Sequence, residues 1–140
     1  MHVLLQENIG IVFEQQGKFE EAQHRYSKTL QIRLKVFGED SLDVAKTRMN
    51  IANTRNRQGQ YDEALKIYTG VVQIQERVLG RNHPIAADTL YNIALVHREQ
   101  GRHDLEAECF DKCVVIYGKV HGDAHSETVD AQEQAARAHA

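Results

Sequence analysis

The chain has 140 residues, 41% of them hydrophobic, and a formal net charge of −3 from 17 basic and 20 acidic residues. Those charges are dispersed, so there is no basic stripe to neutralise phosphates, which argues against nucleic acid and anionic membrane as partners. No apolar run approaches the roughly 18–20 residues that span a bilayer, and the start MHVLLQENIG lacks the basic onset and small-residue cleavage site of a signal peptide; a cytoplasmic protein is expected.

A single proline and apolar residues recurring at three and four predict helices throughout, and no segment alternates with period two long enough to argue for a strand. The first predicted helix, residues 2–16, is unusually apolar, with Val3, Leu4, Leu5, Ile9, Ile11, Val12 and Phe13. Gly17 stops it, because glycine reaches the left-handed conformation that closes a helix C-terminus without a Cβ clash. A second helix, 19–36, runs up to Gly38. The third, 43–58, gathers Val44, Ala45, Ile51 and Ala52 near one face and stops at Gly59. The fourth, 61–78, carries Asp62 and Glu63 in its first turn, where the helix dipole favours negative charge, and continues through Ala64, Ile67, Tyr68, Val71, Ile74 and Val78 to Gly80. The linker GRNHP puts Pro84 in the first turn of the fifth helix, 85–100, where its missing N–H costs nothing. Helices at 103–120 and 126–138 complete the chain, and the alanine-rich, polar AQEQAARAHA suits a cap.

The order of these elements is periodic. Gly17, Gly59 and Gly101 recur every 42 residues, as do Gly38, Gly80 and Gly122, the asparagines Asn8, Asn50 and Asn92, the aromatics Tyr26, Tyr68 and Phe110, and Ile32, Ile74 and Ile116. Such a period marks a solenoid in which each unit covers its apolar face with the next. The fold class expected is therefore all-α, an alpha-alpha superhelix of three helix-turn-helix repeats (1–42, 43–84 and 85–125) with a capping helix at 126–138. Residues 1–140 form a single domain in this reading, close to the minimum array that is stable, and suit a segment of a longer one. Small residues at Gly10, Ala52 and Ala94 and at Ala22 and Ala64 mark close backbone approach. The third repeat departs from the pattern: Glu106 stands where Ala22 and Ala64 stand, and His103 replaces Phe19 and Tyr61. Looser packing, or a one-residue shift that uses Ala107, is expected there.

The stretch NIANTRNRQGQYDEALKIYTGVVQIQERVLGRNHPIAADTLYNIA resembles a tetratricopeptide (TPR) repeat of the extended 42-residue kind, as in kinesin light chains and nephrocystin-3-like proteins. The resemblance covers essentially the whole chain. HEAT and armadillo repeats have a similar period but lack the Gly-x-aromatic turn followed three residues later by alanine. What it implies is a non-catalytic scaffold that binds protein or peptide along the first helix of each pair. The positions so implicated are Leu4, Glu7, Asn8, Ile11 and Glu14; Lys46, Met49, Asn50, Asn53 and Arg57; and Asp88, Tyr91, Asn92, Leu95, Arg98 and Glu99, followed by Asp130, Glu133, Gln134 and Arg137.

Within that set the asparagine ladder can hydrogen-bond an extended peptide, since a carboxamide both donates and accepts, or it can bond within the array and hold repeats in register. Lys46, Arg57 and Arg98 would seek acidic groups, while Met49, Tyr91 and Leu95 offer apolar contact, so an acidic segment with an apolar anchor is the expected ligand. A carboxylate clamp for chaperone tails is disfavoured because Glu7 and Glu99 stand where lysine and arginine would be wanted. The alternative function is an assembly segment: the apolar first helix needs covering, which predicts a homo-oligomer through that helix or a missing neighbouring repeat.

Cys109, Cys113, His103, His121 and His125 have spacings that can ligate a metal, but both cysteines align with packing positions, and neither a metal nor another cofactor is expected. His83 and His125 share one inter-repeat position and read as capping residues. No nucleophile elbow or phosphate loop appears, so no enzymatic activity is expected.

Overall fold

The computed structural model describes residues 3–140, and among these it contains seven α-helices and no strand. They are α1 (Val3–Gln15), α2 (Phe19–Phe37), α3 (Leu42–Arg57), α4 (Tyr61–Leu79), α5 (Pro84–Glu99), α6 (His103–His121) and α7 (Ser126–His139). Every boundary lies within a residue of the expected one; the expected start of the first helix at residue 2 lies outside the described residues. The chain forms two compact units, one up to Ile74 with α1, α2, α3 and most of α4, the other from Gln75 onward with the end of α4, α5, α6 and α7.

Local chemistry explains where the helices stop and start. Gly59 has φ +78°, the Gly59 amide reaches the Asn56 carbonyl at 3.0 Å and the Gln60 amide reaches Arg55 at 2.9 Å, the paired bonds that close a helix on a left-handed residue. Helix starts are capped by side chains. The Ser41 hydroxyl accepts from the Val44 amide at 3.1 Å. His83 and His125 do the same with an imidazole, Nδ1 accepting from the amides of Ile85 at 3.1 Å and Glu127 at 3.2 Å, which is the capping role read from their position. Pro84 occupies the first turn of α5.

In the first unit α2 packs against α1 and α3; in the second α6 packs against α5 and α7. Tyr26 and Phe110 are fully buried and Tyr68 nearly so. Small residues make room for them: a Cβ placed on Gly10 would fall 2.7 Å from Tyr26 Cε1. In the first unit Ala45, Val71 and Ile74 form a buried cluster flanked by Met49 and Ile67. In the second, Ala87, Cys113, Ile116, Tyr117 and Ala131 form one cluster and Ala94, Phe110 and Ala135 another. Cys113 is thus a core residue.

In the irregular third helix pair Ala107 is buried, 4% exposed, yet the register is kept. Phe110 and Cys113 remain on the repeating positions, and Glu106 stays at the small-residue position, 2% exposed. It is tolerated because the Arg98 guanidinium lies 2.7 Å from one carboxylate oxygen and His103 Nδ1 lies 3.2 Å from the other. Leu105, which precedes Glu106, is exposed.

Candidate functional site

In the first unit the polar residues of α1 and α3 bond largely to one another. Glu7, expected on the binding face, is instead 2% exposed and lies 2.7 Å from Arg33, with Asn50 Nδ2 donating to it at 3.0 Å. The Asn50 carboxamide therefore ties α3 to α1. Asn53 Oδ1 accepts from the Tyr68 hydroxyl. Arg57, expected to seek acidic groups on a ligand, donates to the Glu14 carbonyl at 3.0 Å and lies 3.3 Å from the Glu14 carboxylate. Asn8 is exposed, Ile11 and Met49 are half-buried, and Lys46 is well exposed, its ammonium 3.8 Å from Glu7.

The second unit carries an open concavity. Asp88, Tyr91 and Asn92 of α5, Tyr117 of α6, and Ser126, Glu127 and Asp130 of α7 line a pocket of about 430 Å³. The Tyr91 hydroxyl donates to Asp130 Oδ2 at 2.6 Å, and the Tyr117 hydroxyl donates to Asp88. Two tyrosines thus fix the orientation of two carboxylates at the wall of the pocket, and Glu127 adds a third negative charge. Tyr91 also meets Phe110 edge to face at 5.1 Å, which anchors its ring. Leu95, half-buried, packs against the Ala94, Phe110 and Ala135 cluster. Arg98 lies outside this pocket: besides Glu106 it donates to Gln134 at 2.6 Å, and its guanidinium stacks on Phe110 at 5.3 Å.

Of the expected residues, then, the structure gathers Tyr91 and Asn92 into a pocket with Asp88 and Asp130, and adds Tyr117, Ser126 and Glu127. The 42-residue register of Asp88 with Asp130 was a usable signal for the acidic character of this site. Tyr117 gave none, since it belongs to a second helix and stands where Arg33 and Gln75 stand.

Burial pushes the Tyr91 hydroxyl up to about 12, helped by its bond to Asp130 and that carboxylate's charge. Burial likewise raises Tyr26, Tyr68 and Tyr117 well above the ordinary 10, with Glu14 adding at the first two and Asp88 at the third. In each case the folded state holds its proton more tightly than the unfolded chain. The stability this represents is complete below about pH 10 and is lost as pH rises toward the folded values. The urea midpoint is expected to fall steeply between about pH 10 and pH 12; a flat midpoint over that range would refute the assignment, and Tyr68→Phe should shallow the slope.

Among the described residues, no group of three or more His, Cys, Asp or Glu is placed to hold a metal ion, and no helix is long and apolar enough to cross a membrane. The sequence matches the family model described as tetratricopeptide repeat over residues 3–54 and 43–117. No curated protein sequence matches it. Solved structures do. A Podosopora anserina protein, assigned as a kinesin light chain with nearly identical TPR-like repeats, superposes with a TM-score of 0.83 at 22% identity, over 98% of this chain and 65% of that one. BtubC (BKLC) from P. vanneervenii gives 0.86 at 14% identity, over 98% and 55%. PcrH of Pseudomonas aeruginosa in complex with the chaperone binding region of PopD gives 0.68 at 18% identity, over 96% and 89%. The chain therefore spans less than two thirds of the length of the first two. These likenesses place the all-helical fold in the alpha-alpha superhelix class, and the family model, matching most of the sequence, shows that this chain belongs to the tetratricopeptide repeat family.

Proposed function

We propose that the chain is a non-catalytic cytoplasmic scaffold, with repeats at 1–42, 43–84 and 85–125 and α7 as cap, that binds an extended segment of a partner protein and seats a basic side chain of that segment in the pocket between α5, α6 and α7. The observation that carries this reading is the pocket of about 430 Å³ with Asp88, Glu127 and Asp130 around two tyrosine rings. A lysine or arginine fits such a site because its alkyl stem can lie on the rings while its head meets carboxylates already held in place by Tyr91 and Tyr117. Pre-positioned acceptors cost a ligand less than mobile ones.

The acidic ligand anticipated from Arg57 and Arg98 has less support, because both guanidiniums are engaged with Glu14 and Glu106. Lys46 is the most exposed of the three expected cations, and Arg57 is partly exposed. The similarly folded PcrH, which holds a segment of PopD, supports the general mode of binding without indicating the chemistry of the segment here.

Fluorescence anisotropy with two pools of labelled decapeptides tests the reading, one pairing Lys or Arg with apolar residues and the other pairing Asp or Glu with them. The basic pool is expected to bind, and Asp130→Asn with Glu127→Gln should weaken it about tenfold or more, since a charge-assisted bond contributes about 1.5–3 kcal/mol. Preferential binding of the acidic pool would restore the anionic-segment reading and discard this one.

A further inference from the structure

A second pocket, of about 460 Å³, opens in the second unit between the end of α4, α5 and α6, and it shares no lining residue with the pocket of Tyr91 and Tyr117. Its apolar lining is Ala86 and Leu90 of α5 with Val115 and Ile116 of α6. Two charges in its wall are unpaired. Glu76 of α4, half-buried, and Arg81 of the linker that follows make no hydrogen bond or ion pair among the described residues, whereas Glu108 has Lys112 at 3.6 Å and Asp111 has His139 at 2.9 Å. The 42-residue register explains why Arg81 is left over. Glu39 and Arg48 stand at the positions of Arg81 and Leu90, and they bind each other at 2.7 Å. A leucine at 90 cannot pair with an arginine at 81, so the guanidinium stays free and the wall beside it turns apolar.

The complement of this pocket is displayed at the corner between α2 and α3 in the first unit. Lys35, Val36, Phe37, Gly38, Glu39 and Asp40 are all exposed, and Gly38, at φ +80°, ends α2 there. Phe37 is the one exposed phenylalanine of the four in the chain, 54% exposed beside Val36 at 67%. Lys35 has no partner among the described residues, and Glu39, though held by Arg48, keeps a side chain 71% exposed. Base, aromatic and acid thus follow one another around Gly38. Around Gly80 the pocket has the opposite signs in the same order, Glu76 and then Arg81, five residues apart against the four between Lys35 and Glu39. The later corners do not repeat the set: Leu79 is half-buried between Arg77 and Arg81, and the third corner has His121 in place of Phe37.

We propose that the α2–α3 corner of one copy of this chain docks in the α4, α5 and α6 pocket of another. Phe37 enters against Leu90 and Val115, Glu39 meets Arg81, and Lys35 meets Glu76. An uncharged apolar group, or one carrying a single sign, would leave Glu76 or Arg81 dehydrated and unpaired as the pocket closes, so the pocket selects an occupant with an apolar anchor and both charges. The charges on the two corners are opposite in sign at matching places, which is the complementarity that makes another copy of this chain the fitting occupant. Corner and pocket are different surfaces, so the contact is heterologous and copies add head to tail. One aromatic anchor with two ion pairs open to water makes a weak contact, with dissociation at about 100 micromolar.

The pocket between α5, α6 and α7 takes no part in this contact, so the two readings can fail separately; Asp130→Asn with Glu127→Gln should leave association unchanged. Sedimentation of the full chain from about 1 to 500 micromolar should show the mean mass rising from 16.0 kDa past twice that value. Phe37→Ser and Val115→Glu, both at exposed positions, should each weaken association at least tenfold. Mixed in equal amounts, these two variants should associate again but only as a one-to-one pair, because the first keeps an intact pocket and the second an intact corner. Arg81→Glu should also weaken association at least tenfold, and Glu39→Arg in the same chain should restore it. A monomer at every concentration overturns the inference, and so does association that Phe37→Ser leaves unchanged or that mixing the two variants fails to restore.

Discussion

Arg33→Ala is expected to destabilise the first unit by about 3–5 kcal/mol, which is what removing one partner of a buried ion pair costs when the other is left charged and dry. Arg33 is 5% exposed and Glu7 2%, with 2.7 Å between them. The guanidinium also donates to Thr47 Oγ1 at 2.8 Å and to the Asp43 carbonyl at 3.3 Å, so its loss strips α2 of its polar hold on α3 as well. Lys46 cannot take its place, because its ammonium is 3.8 Å from Glu7 and sits largely in water. Asn50 can hydrogen-bond the stranded carboxylate but cannot neutralise it. The pairing does not imply that the pair is itself strongly stabilising. Replacing both partners, Glu7→Leu with Arg33→Met, is expected to recover most of the loss or exceed the parent, since the desolvation cost of both charges disappears. Urea unfolding followed for each variant reads both numbers. A loss below about 1 kcal/mol for Arg33→Ala would mean that water reaches Glu7, and the burial described here would be wrong.

Glu7 also shows where sequence reading succeeded and where it stopped. The helices, their glycine ends and the large aromatics opposite small residues are local or strictly periodic features, and a period of 42 displays them three times. Their boundaries and burial could be read directly. A polar residue on a first helix, by contrast, has two fates that look alike in sequence: it faces a ligand, or it bonds to a partner brought near by folding. Glu7, Asn50, Asn53, Arg57 and Arg98 all have folding partners, and Arg33, Glu7, Tyr68, Glu14 and Glu106 are separated from them by intervals no periodicity marks. The same applies to Tyr117, whose hydroxyl orients Asp88 from a neighbouring helix. His83 and His125 were legible as caps because the cap is a two-residue event. The exposed apolar face of α1 was legible too, since an uncovered leucine needs no partner to be noticed.

The second large effect concerns the departure in the third helix pair. Arg98→Ala is expected to cost about 3 kcal/mol, and Glu106→Ala less than about 1 kcal/mol, although the two side chains share one contact at 2.7 Å. The asymmetry follows from burial. Glu106 is nearly inaccessible, so without Arg98 its charge keeps only His103, whose ring is mostly in solvent. Arg98 is partly exposed; without Glu106 it retains the bond to Gln134 at 2.6 Å, the face of Phe110 and access to water. Alanine at 106 also restores the residue that Ala22 and Ala64 supply at the same interval, where it is fully buried beside the aromatic. The double variant Arg98→Ala with Glu106→Ala should therefore be more stable than Arg98→Ala alone. That ordering separates a carboxylate that needs its arginine from an arginine that merely visits a carboxylate. Equal losses from the two single changes, or a double change worse than either, would show that the pair stabilises the fold symmetrically, and the accommodation of Glu106 would then rest on packing rather than on charge.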